Sequence, residues 1–425
     1  MKKIVVYPTT ITGSVVVPSS KSHSHRAIIF GAMGSGTTTI RRLLKSPDTD
    51  GMLKAWKSLG VAVSEEGECV KIRGLDGEID GAEDVIDVGN SGIALRFLTA
   101  LSALSPKPIV ITGDHSIRHQ RPMDPLLQAL TQLDAMAIST KCDGYAPIIV
   151  QGPLKGGEVM VNGRDSQPVS ALLISSIFSK GTTRLVVEEP GEIPWVKLTL
   201  YWMSWLNIRF EQKNFSEYIV SGQERYKGFE YAVPGDWSSA AFPAAAALVT
   251  KSSVTLENLD KKDVQGDKKL FDLLEQMGAK ICYIEEKKKV KVSYKEGLKG
   301  IDADINDCID CITILSVVAC FADGVTFIKN ASVAKEKECN RIECIARELR
   351  KMGAEIETSE DGLKITGTPL HGAELDSHDD HRMAMSLVVA AMGADGASRI
   401  SNIACMNKTY PSFIADMKSI GALIQ

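Results

Sequence analysis

Six times along the chain, at intervals of about 70 residues, a polar or charged cluster runs straight into an apolar stretch of helical character. The clusters are Lys21-Ser22-His23-Ser24-His25-Arg26, Asn90-Ser91-Gly92, Asp165-Ser166-Gln167, Asp236-Trp237-Ser238-Ser239, Asn306-Asp307-Cys308-Ile309-Asp310 and Asp379-Asp380-His381-Arg382. The stretches that follow run from Ala27 to Met33, Ile93 to Leu104, Val169 to Phe178, Ala240 to Val249, Cys311 to Ala322 and Met383 to Met392. A helix that is apolar nearly all round must be buried. Its first turn still carries unpaired N–H groups and a partial positive charge, which suit an anion. The pattern predicts a repeat architecture whose helix starts converge on a negatively charged small molecule.

A second pattern keeps the same spacing. Amphipathic segments end in Leu59-Gly60-Val61, Leu133-Asp134-Ala135, Leu206-Asn207-Ile208, Met277-Gly278-Ala279, Met352-Gly353-Ala354 and Ile420-Gly421-Ala422. Each phrase predicts a helix closing in a left-handed turn and leading into a strand. Glycine-led runs of β-branched residues, at Gly36-Thr37-Thr38-Thr39-Ile40, Gly181-Thr182-Thr183-Arg184-Leu185 and Gly324-Val325-Thr326-Phe327-Ile328, predict further strands. One repeat therefore reads as buried helix, strand, amphipathic helix, strand, and three repeats per half give two similar α/β domains. The break between halves falls at Val233-Pro234-Gly235-Asp236. The charge run Glu285-Glu286-Lys287-Lys288-Lys289 reads as a solvated hairpin turn.

Bulk properties narrow the class. The chain's 425 residues suffice for two or three domains with full cores. A net charge of −4 argues against nucleic acid as a partner, so any anion site must be a local concentration of Lys and Arg. The apolar part of Met1-Lys2-Lys3-Ile4-Val5-Val6-Tyr7-Pro8 is too short for a secretory signal. The longest apolar runs fall short of the ~18 residues of a membrane span, so a cytoplasmic protein without membrane contact is expected. Nine scattered cysteines, an odd number, are expected as reduced thiols. Cys308 and Cys311 form a C-x-x-C, but no second pair lies nearby and the histidines lack ligand spacing, so no metal is expected.

The candidate chemistry is cationic. Lys21, Ser22 and Arg26 bring two cations and a hydroxyl to one helix start, a combination that holds phosphate or carboxylate, although a solvated helix start would look the same. Arg118 and Arg121 lie in a loop before Pro122, which can begin the next helix. Lys335, Lys337, Glu338 and Arg341 form another group. Lys337 and Arg341 share a face if this segment is helical, and a surface ion lattice is the alternative. Asp380, His381, Arg382 and Lys408 complete the set. Asp310 opens a buried helix and Glu338 lies amid cations. The two could act as an acid–base pair, or Asp310 could simply cap its helix. No P-loop or dinucleotide-type glycine spacing is present.

Together these segments resemble the enolpyruvyl transferases along essentially the whole chain, in order. The resemblance is carried by Pro18-Ser19-Ser20-Lys21-Ser22-His23-Ser24-His25-Arg26, Gly89-Asn90-Ser91-Gly92-Ile93-Ala94-Leu95-Arg96, Gln120-Arg121-Pro122-Met123, Lys337-Glu338 with Arg341, Asp379-Asp380-His381-Arg382-Met383-Ala384-Met385 and Lys408-Thr409-Tyr410-Pro411. It implies a two-domain α/β fold of six repeats, three per domain, with the active site in the interdomain cleft. Residues 20–235 would form the first domain, and 1–19 with 236–425 the second. The implied reaction moves the enolpyruvyl group of phosphoenolpyruvate to the 5-hydroxyl of shikimate 3-phosphate through a tetrahedral intermediate, in a monomer, without cofactor or metal. By resemblance, Lys21, Ser22 and Arg26 meet the acceptor, Lys21 also touching phosphoenolpyruvate. Asn90, Gly92, Arg121 and Lys408 hold the donor's phosphate, and Arg341 and Arg382 its carboxylate. Asp310 is the base, Glu338 moves a proton at the methylene carbon, and Lys337 and His381 assist. Asp165, Ser166 and Gln167 line the shared pocket.

Three positions depart from the family pattern. Asp165-Ser166-Gln167 replaces two serines before the glutamine, Glu192-Ile193-Pro194-Trp195 replaces Ser-Lys-Pro-Tyr, and Val333 replaces an asparagine. Asp165 and Glu192 would place negative charge near the acceptor phosphate, which calls for a cation or a proton. Ile93 beside Gly92 implies a tighter donor pocket and weak inhibition by glyphosate. Two other readings are a sister transferase acting on UDP-N-acetylglucosamine, disfavoured because Gly113 to Arg121 holds no cysteine, and a non-catalytic binder, disfavoured by Asp310, Glu338 and Lys21.

Overall fold

Short β-branched runs supply the framework of the computed structural model, which describes residues 3–425. Thr37–Arg41, Ile109–Thr112, Thr183–Glu188, Ser253–Glu257 and Val325–Lys329, and with them the less branched Ser398–Ser401, each become a strand that follows a buried helix. In the first, Thr38 and Ile40 point inward while Thr37 and Arg41 face water, the period-two pattern of a sheet with one wet face. Each of these strands has a parallel neighbour on one side and an antiparallel pair on the other, so six four-stranded mixed sheets share one topology.

The chain forms two compact units, one of Met1–Ser20 with Pro234–Gln425 and one of Lys21–Val233. Three of the six sheets belong to each. Within the first unit, Thr12–Val16 pairs parallel to Ser253–Glu257, and Lys3–Tyr7 pairs antiparallel to Ser398–Ser401. The repeat is richer than the expected helix–strand–helix–strand, because further strands complete every sheet: five of the six sheets contain a hairpin, and in the sixth Lys3–Tyr7 pairs with Leu423–Ile424 instead. The strands that the sequence pattern did not flag, such as Ile86–Asp87, Glu230–Ala232 and Glu374–Asp376, are only two or three residues long, too short to show the alternation that marks a strand.

The buried helices span Lys21–Met33, Gly92–Ser102, Ser166–Ser176, Trp237–Val249, Ile312–Cys320 and His381–Gly393. All of Trp237–Val249 is buried, as its unbroken apolar surface requires. The fifth begins later than its sequence suggests. Asp310 lies in a 3₁₀ segment, Asn306–Cys311, kinked at Cys308, so it neither opens nor caps the helix.

The amphipathic helices Pro47–Ser58, Asp124–Gln132, Ile193–Trp205, Lys269–Gln276, Arg341–Lys351 and Phe413–Ser419 close alike. Gly60, Asp134, Asn207, Gly278, Gly353 and Gly421 all have positive φ, between 58° and 112°. In each closure, the next residue's N–H reaches back to a carbonyl five positions earlier, as Val61 to Trp56 and Ala422 to Met417, at 2.9–3.1 Å. This is the double-bonded left-handed cap that satisfies the last carbonyls of a helix.

Two local expectations need correction. Pro122 does not begin a helix: Met123 is the cap of Asp124–Gln132, and Pro125 occupies its first turn. Lys337 and Arg341 do not share a helix, because Lys337 is extended, Asn340 caps, and the helix begins at Arg341. The charge run does form a hairpin turn, joining Lys280–Ile284 to Lys289–Ser293. Cys308 and Cys311 are buried free thiols. Among the described residues, no helix is long and apolar enough to cross a membrane.

Candidate active site

In the Lys21–Val233 unit, three helix starts gather most of the expected residues. Lys21 Nζ lies 3.9 Å from Asp48 Oδ2. Arg26 turns inward. Its Nε and Nη2 donate to Thr199 Oγ1 at 3.1 and 2.8 Å, Nη2 to the Trp195 carbonyl at 3.1 Å and Nη1 to the Ser22 carbonyl at 3.3 Å. Burial lowers its pKa to about 9, which still leaves it charged at neutral pH. Arg26 therefore ties the Lys21 helix to Ile193–Trp205 more than it presents a free fork. His23, from the same cluster, is structural: its Nδ1 faces Trp202 Nε1 at 3.2 Å and the Tyr231 hydroxyl at 2.8 Å.

Ser91 caps Gly92–Ser102 through the Ala94 N–H, and the Asn90 side chain bonds Asp114 at 2.6 Å. Gly92 lies under two guanidiniums: a Cβ there would come within 3.1 Å of Arg96 Nη1 and 3.8 Å of Arg121 Cζ. Buried Arg96 is the organiser that sequence reasoning left unassigned, although it ends the Gly89–Arg96 motif. It donates to Gln167 Oε1 at 3.2 Å and to the Pro122 carbonyl at 3.3 Å, and it pairs with Asp165 Oδ2 at 3.2 Å. Asp165 also caps Ser166–Ser176 through the Gln167 N–H at 2.9 Å. Glu192 Oε2 accepts from the Ser166 N–H at 3.0 Å and the Ser166 hydroxyl at 2.9 Å. Both unexpected carboxylates are thus held by this unit's own donors. The sequence hinted at neither partnership, since Arg96 and Glu192 lie about 70 and 26 residues from theirs along the chain.

The other unit holds the acid–base candidates in one ionic cluster around Arg341. Its Nη1 meets Asp310 Oδ1 at 2.6 Å, its Nη2 meets Glu338 Oε2 at 2.8 Å, and its Nε meets Asp380 Oδ2 at 2.7 Å. Burial alone would lower the Arg341 pKa, but Asp380, Glu338 and Asp310 together hold it well above the ordinary value. Arg382 Nη2 takes the other oxygen of Asp310 at 2.8 Å, and Lys408 Nζ takes the other oxygen of Glu338 at 2.7 Å. His381 Nδ1 is 3.9 Å from both Glu338 and Asp380. Asp380 caps His381–Gly393 through the Arg382 and Met383 N–H groups. Lys337 is buried nearby in sequence, and Val333 sits in the preceding 3₁₀ turn with no polar group to offer. Asp267, which the sequence did not flag, approaches Arg382 at 3.7 Å and bonds Ser238.

The cluster can do two things: hold an anion between Arg341, Arg382 and Lys408, and exchange protons through Asp310 and Glu338. Glu338, Asp380 and His381 place one ligand-type atom each within 4.8 Å of one another. A metal ion there would have to compete with Arg341 and Lys408, which already neutralise those carboxylates, so the donor set suits an organic anion better.

An α/β chain of six repeated sheets, with cation-bearing helix starts and a buried acid–base cluster, is of the class that handles small anionic metabolites. A family model described as EPSP synthase (3-phosphoshikimate 1-carboxyvinyltransferase) matches residues 5–417. The chain belongs to that family. It is 41% identical over 422 residues to the 3-phosphoshikimate 1-carboxyvinyltransferase of Chlamydia pneumoniae, covering 99% of this chain and 94% of the relative. It is 42% identical over 425 residues to that of Chlamydia muridarum, covering 99% and 95%. The solved EPSP synthase of Acinetobacter baumannii superposes with a TM-score of 0.83 at 27% identity, over 100% of this chain and 99% of that one.

Proposed function

We infer that this chain is a 3-phosphoshikimate 1-carboxyvinyltransferase of aromatic amino acid biosynthesis: it transfers the enolpyruvyl group of phosphoenolpyruvate to the 5-hydroxyl of shikimate 3-phosphate and releases phosphate. The observation that supports it best is Arg341, buried between Asp310 and Glu338, which sets a base and an acid around one carboxylate-binding fork. Arg341 and Arg382 bind the donor's carboxylate, while Asn90, Gly92, Arg121 and Lys408 bind its phosphate end. Lys21, Ser22, Arg26, Asp165, Ser166 and Gln167 serve the acceptor, and Lys337 assists.

In the addition step Asp310 takes the proton of the 5-hydroxyl, whose oxygen bonds to the donor's central carbon, and the methylene carbon gains a proton from Glu338 or Lys21. In the elimination step Glu338 removes a proton from the new methyl group, the double bond re-forms, and phosphate leaves. His381, between Glu338 and Asp380, orients the proton-carrying carboxylate. Placing several fixed cations where phosphate charge builds lowers the barrier without reorganisation. The protein works as a cytoplasmic monomer on diffusible substrates.

The test is phosphate release from phosphoenolpyruvate with shikimate 3-phosphate, with UDP-N-acetylglucosamine, and with neither. Release only with shikimate 3-phosphate is expected. Release only with the nucleotide sugar, or none despite tight binding, would overturn the reading.

A further inference from the structure

The buried helix starts differ in what satisfies their N–H groups. Gly92–Ser102 is capped by Ser91, Trp237–Val249 by Asp236 and His381–Gly393 by Asp380, each from the residue immediately before the helix. Ser166–Ser176 carries a second carboxylate beyond its Asp165 cap. Glu192 comes from the start of the next helix, and a single oxygen accepts both the Ser166 N–H and the Ser166 hydroxyl. Glu192 is only 2% exposed, and its backbone is left-handed, at φ 45° and ψ 39°. A non-glycine residue held in that conformation costs about 1 kcal/mol or more, so the surrounding structure enforces this contact.

A helix-start N–H beside a serine hydroxyl is a donor pair that a phosphate takes readily. Here those donors are engaged by a carboxylate of the protein itself. We propose that Glu192 is a specificity-determining residue for the acceptor: its carboxylate occupies the Ser166 donors in place of a phosphate and so narrows the preference for a phosphorylated over an unphosphorylated acceptor. A phosphate approaching Ser166 must displace Glu192 or sit beside a like charge, and either route weakens its binding. An unphosphorylated acceptor meets no such opposition. This rests on the assignment of Ser166 to the acceptor made above.

The experiment compares kcat/KM for shikimate 3-phosphate and for shikimate, each with phosphoenolpyruvate, in the wild type, E192Q and E192S. Glu192→Gln keeps an oxygen for the Ser166 donors and removes only the charge, so it separates charge from packing. The ratio of the two kcat/KM values is expected to rise about tenfold in E192Q, with the KM for phosphoenolpyruvate unchanged. Glu192→Ser should move the ratio in the same direction. An unchanged or lower ratio in E192Q with a wild-type KM for phosphoenolpyruvate overturns the proposal. If the wild type turns over neither acceptor, the functional reading fails. Calorimetric titration of shikimate 3-phosphate then decides the role of Glu192: tighter binding to E192Q supports it, and equal or weaker binding overturns it.

Discussion

Asp310 and Arg341 meet at 2.6 Å, and the second oxygen of the same carboxylate takes Arg382 at 2.8 Å. Both oxygens of Asp310, the proposed base, are therefore positioned by guanidiniums that are themselves buried. Replacing Asp310 by Asn keeps the shape and removes the proton acceptor. We expect kcat in D310N to fall by about 10²–10⁴, the usual worth of a general base, with little change in the KM for phosphoenolpyruvate. Steady-state kinetics check this, and a D310N enzyme with wild-type kcat would remove Asp310 from the mechanism.

Glu338 shares its carboxylate between Arg341 and Lys408. If it moves the proton at the methylene carbon, E338Q should lose solvent deuterium incorporation into that carbon along with turnover. Lys408→Ala should instead mainly raise the KM for phosphoenolpyruvate. Mass analysis of residual substrate in heavy water separates the two variants. Full exchange in E338Q would assign the step elsewhere.

Arg96 holds Gln167, Asp165 and the Pro122 carbonyl with one fork. Lysine keeps the charge but cannot span three acceptors in a plane. R96K is expected to lose roughly 1–3 kcal/mol of stability and to raise the KM for both substrates. Denaturant unfolding and kinetics together test this, and a variant with wild-type stability would show that Arg96 is not an organiser.

Burial raises the pKa of Asp267 to about 7, more than the nearby Arg382 lowers it. The folded value exceeds the unfolded value of about 3.9, so the folded state binds the proton more tightly. The associated stability is fully present below about pH 4 and is lost as pH rises through 7, by on the order of 4 kcal/mol in total. D267N should flatten that fall and be the more stable protein at pH 8. Melting curves from pH 4 to 8 give the answer, and parallel curves for the two proteins would contradict it.

Ile93 follows Gly92 at the start of the second buried helix. A branched side chain beside the proposed phosphate site should crowd a bulkier analogue of phosphoenolpyruvate. Glyphosate is therefore expected to inhibit weakly, and I93T to be more sensitive. Potent inhibition of the wild type at low concentration would be the contrary result.

Much of the fold was legible because it repeats. Six buried helices and six left-handed closures could be read from apolar runs and from Gly, Asn or Asp at one spacing. The short parallel strands were not legible, since segments such as Glu230–Ala232 hold too few residues to show any alternation. At the site, charged residues near helix starts were visible, but their partners were not. Asp310 reads as a cap from spacing alone, yet it lies within the 3₁₀ segment Asn306–Cys311, Cys311 takes the cap position, and the Asp310 carboxylate meets Arg341 and Arg382. Arg96 looked like the tail of a motif because its three partners come from later segments.

The left-handed closures carry a consequence for how such a chain can diverge. In every repeat the joint that sets the path of the backbone sits at the end of an amphipathic helix, whereas the polar cluster sits at the start of a buried one. Geometry and recognition are thus written in separate stretches of each copy. The starts can drift one at a time, as the carboxylate at position 165 illustrates, while the joints hold every copy to the same shape.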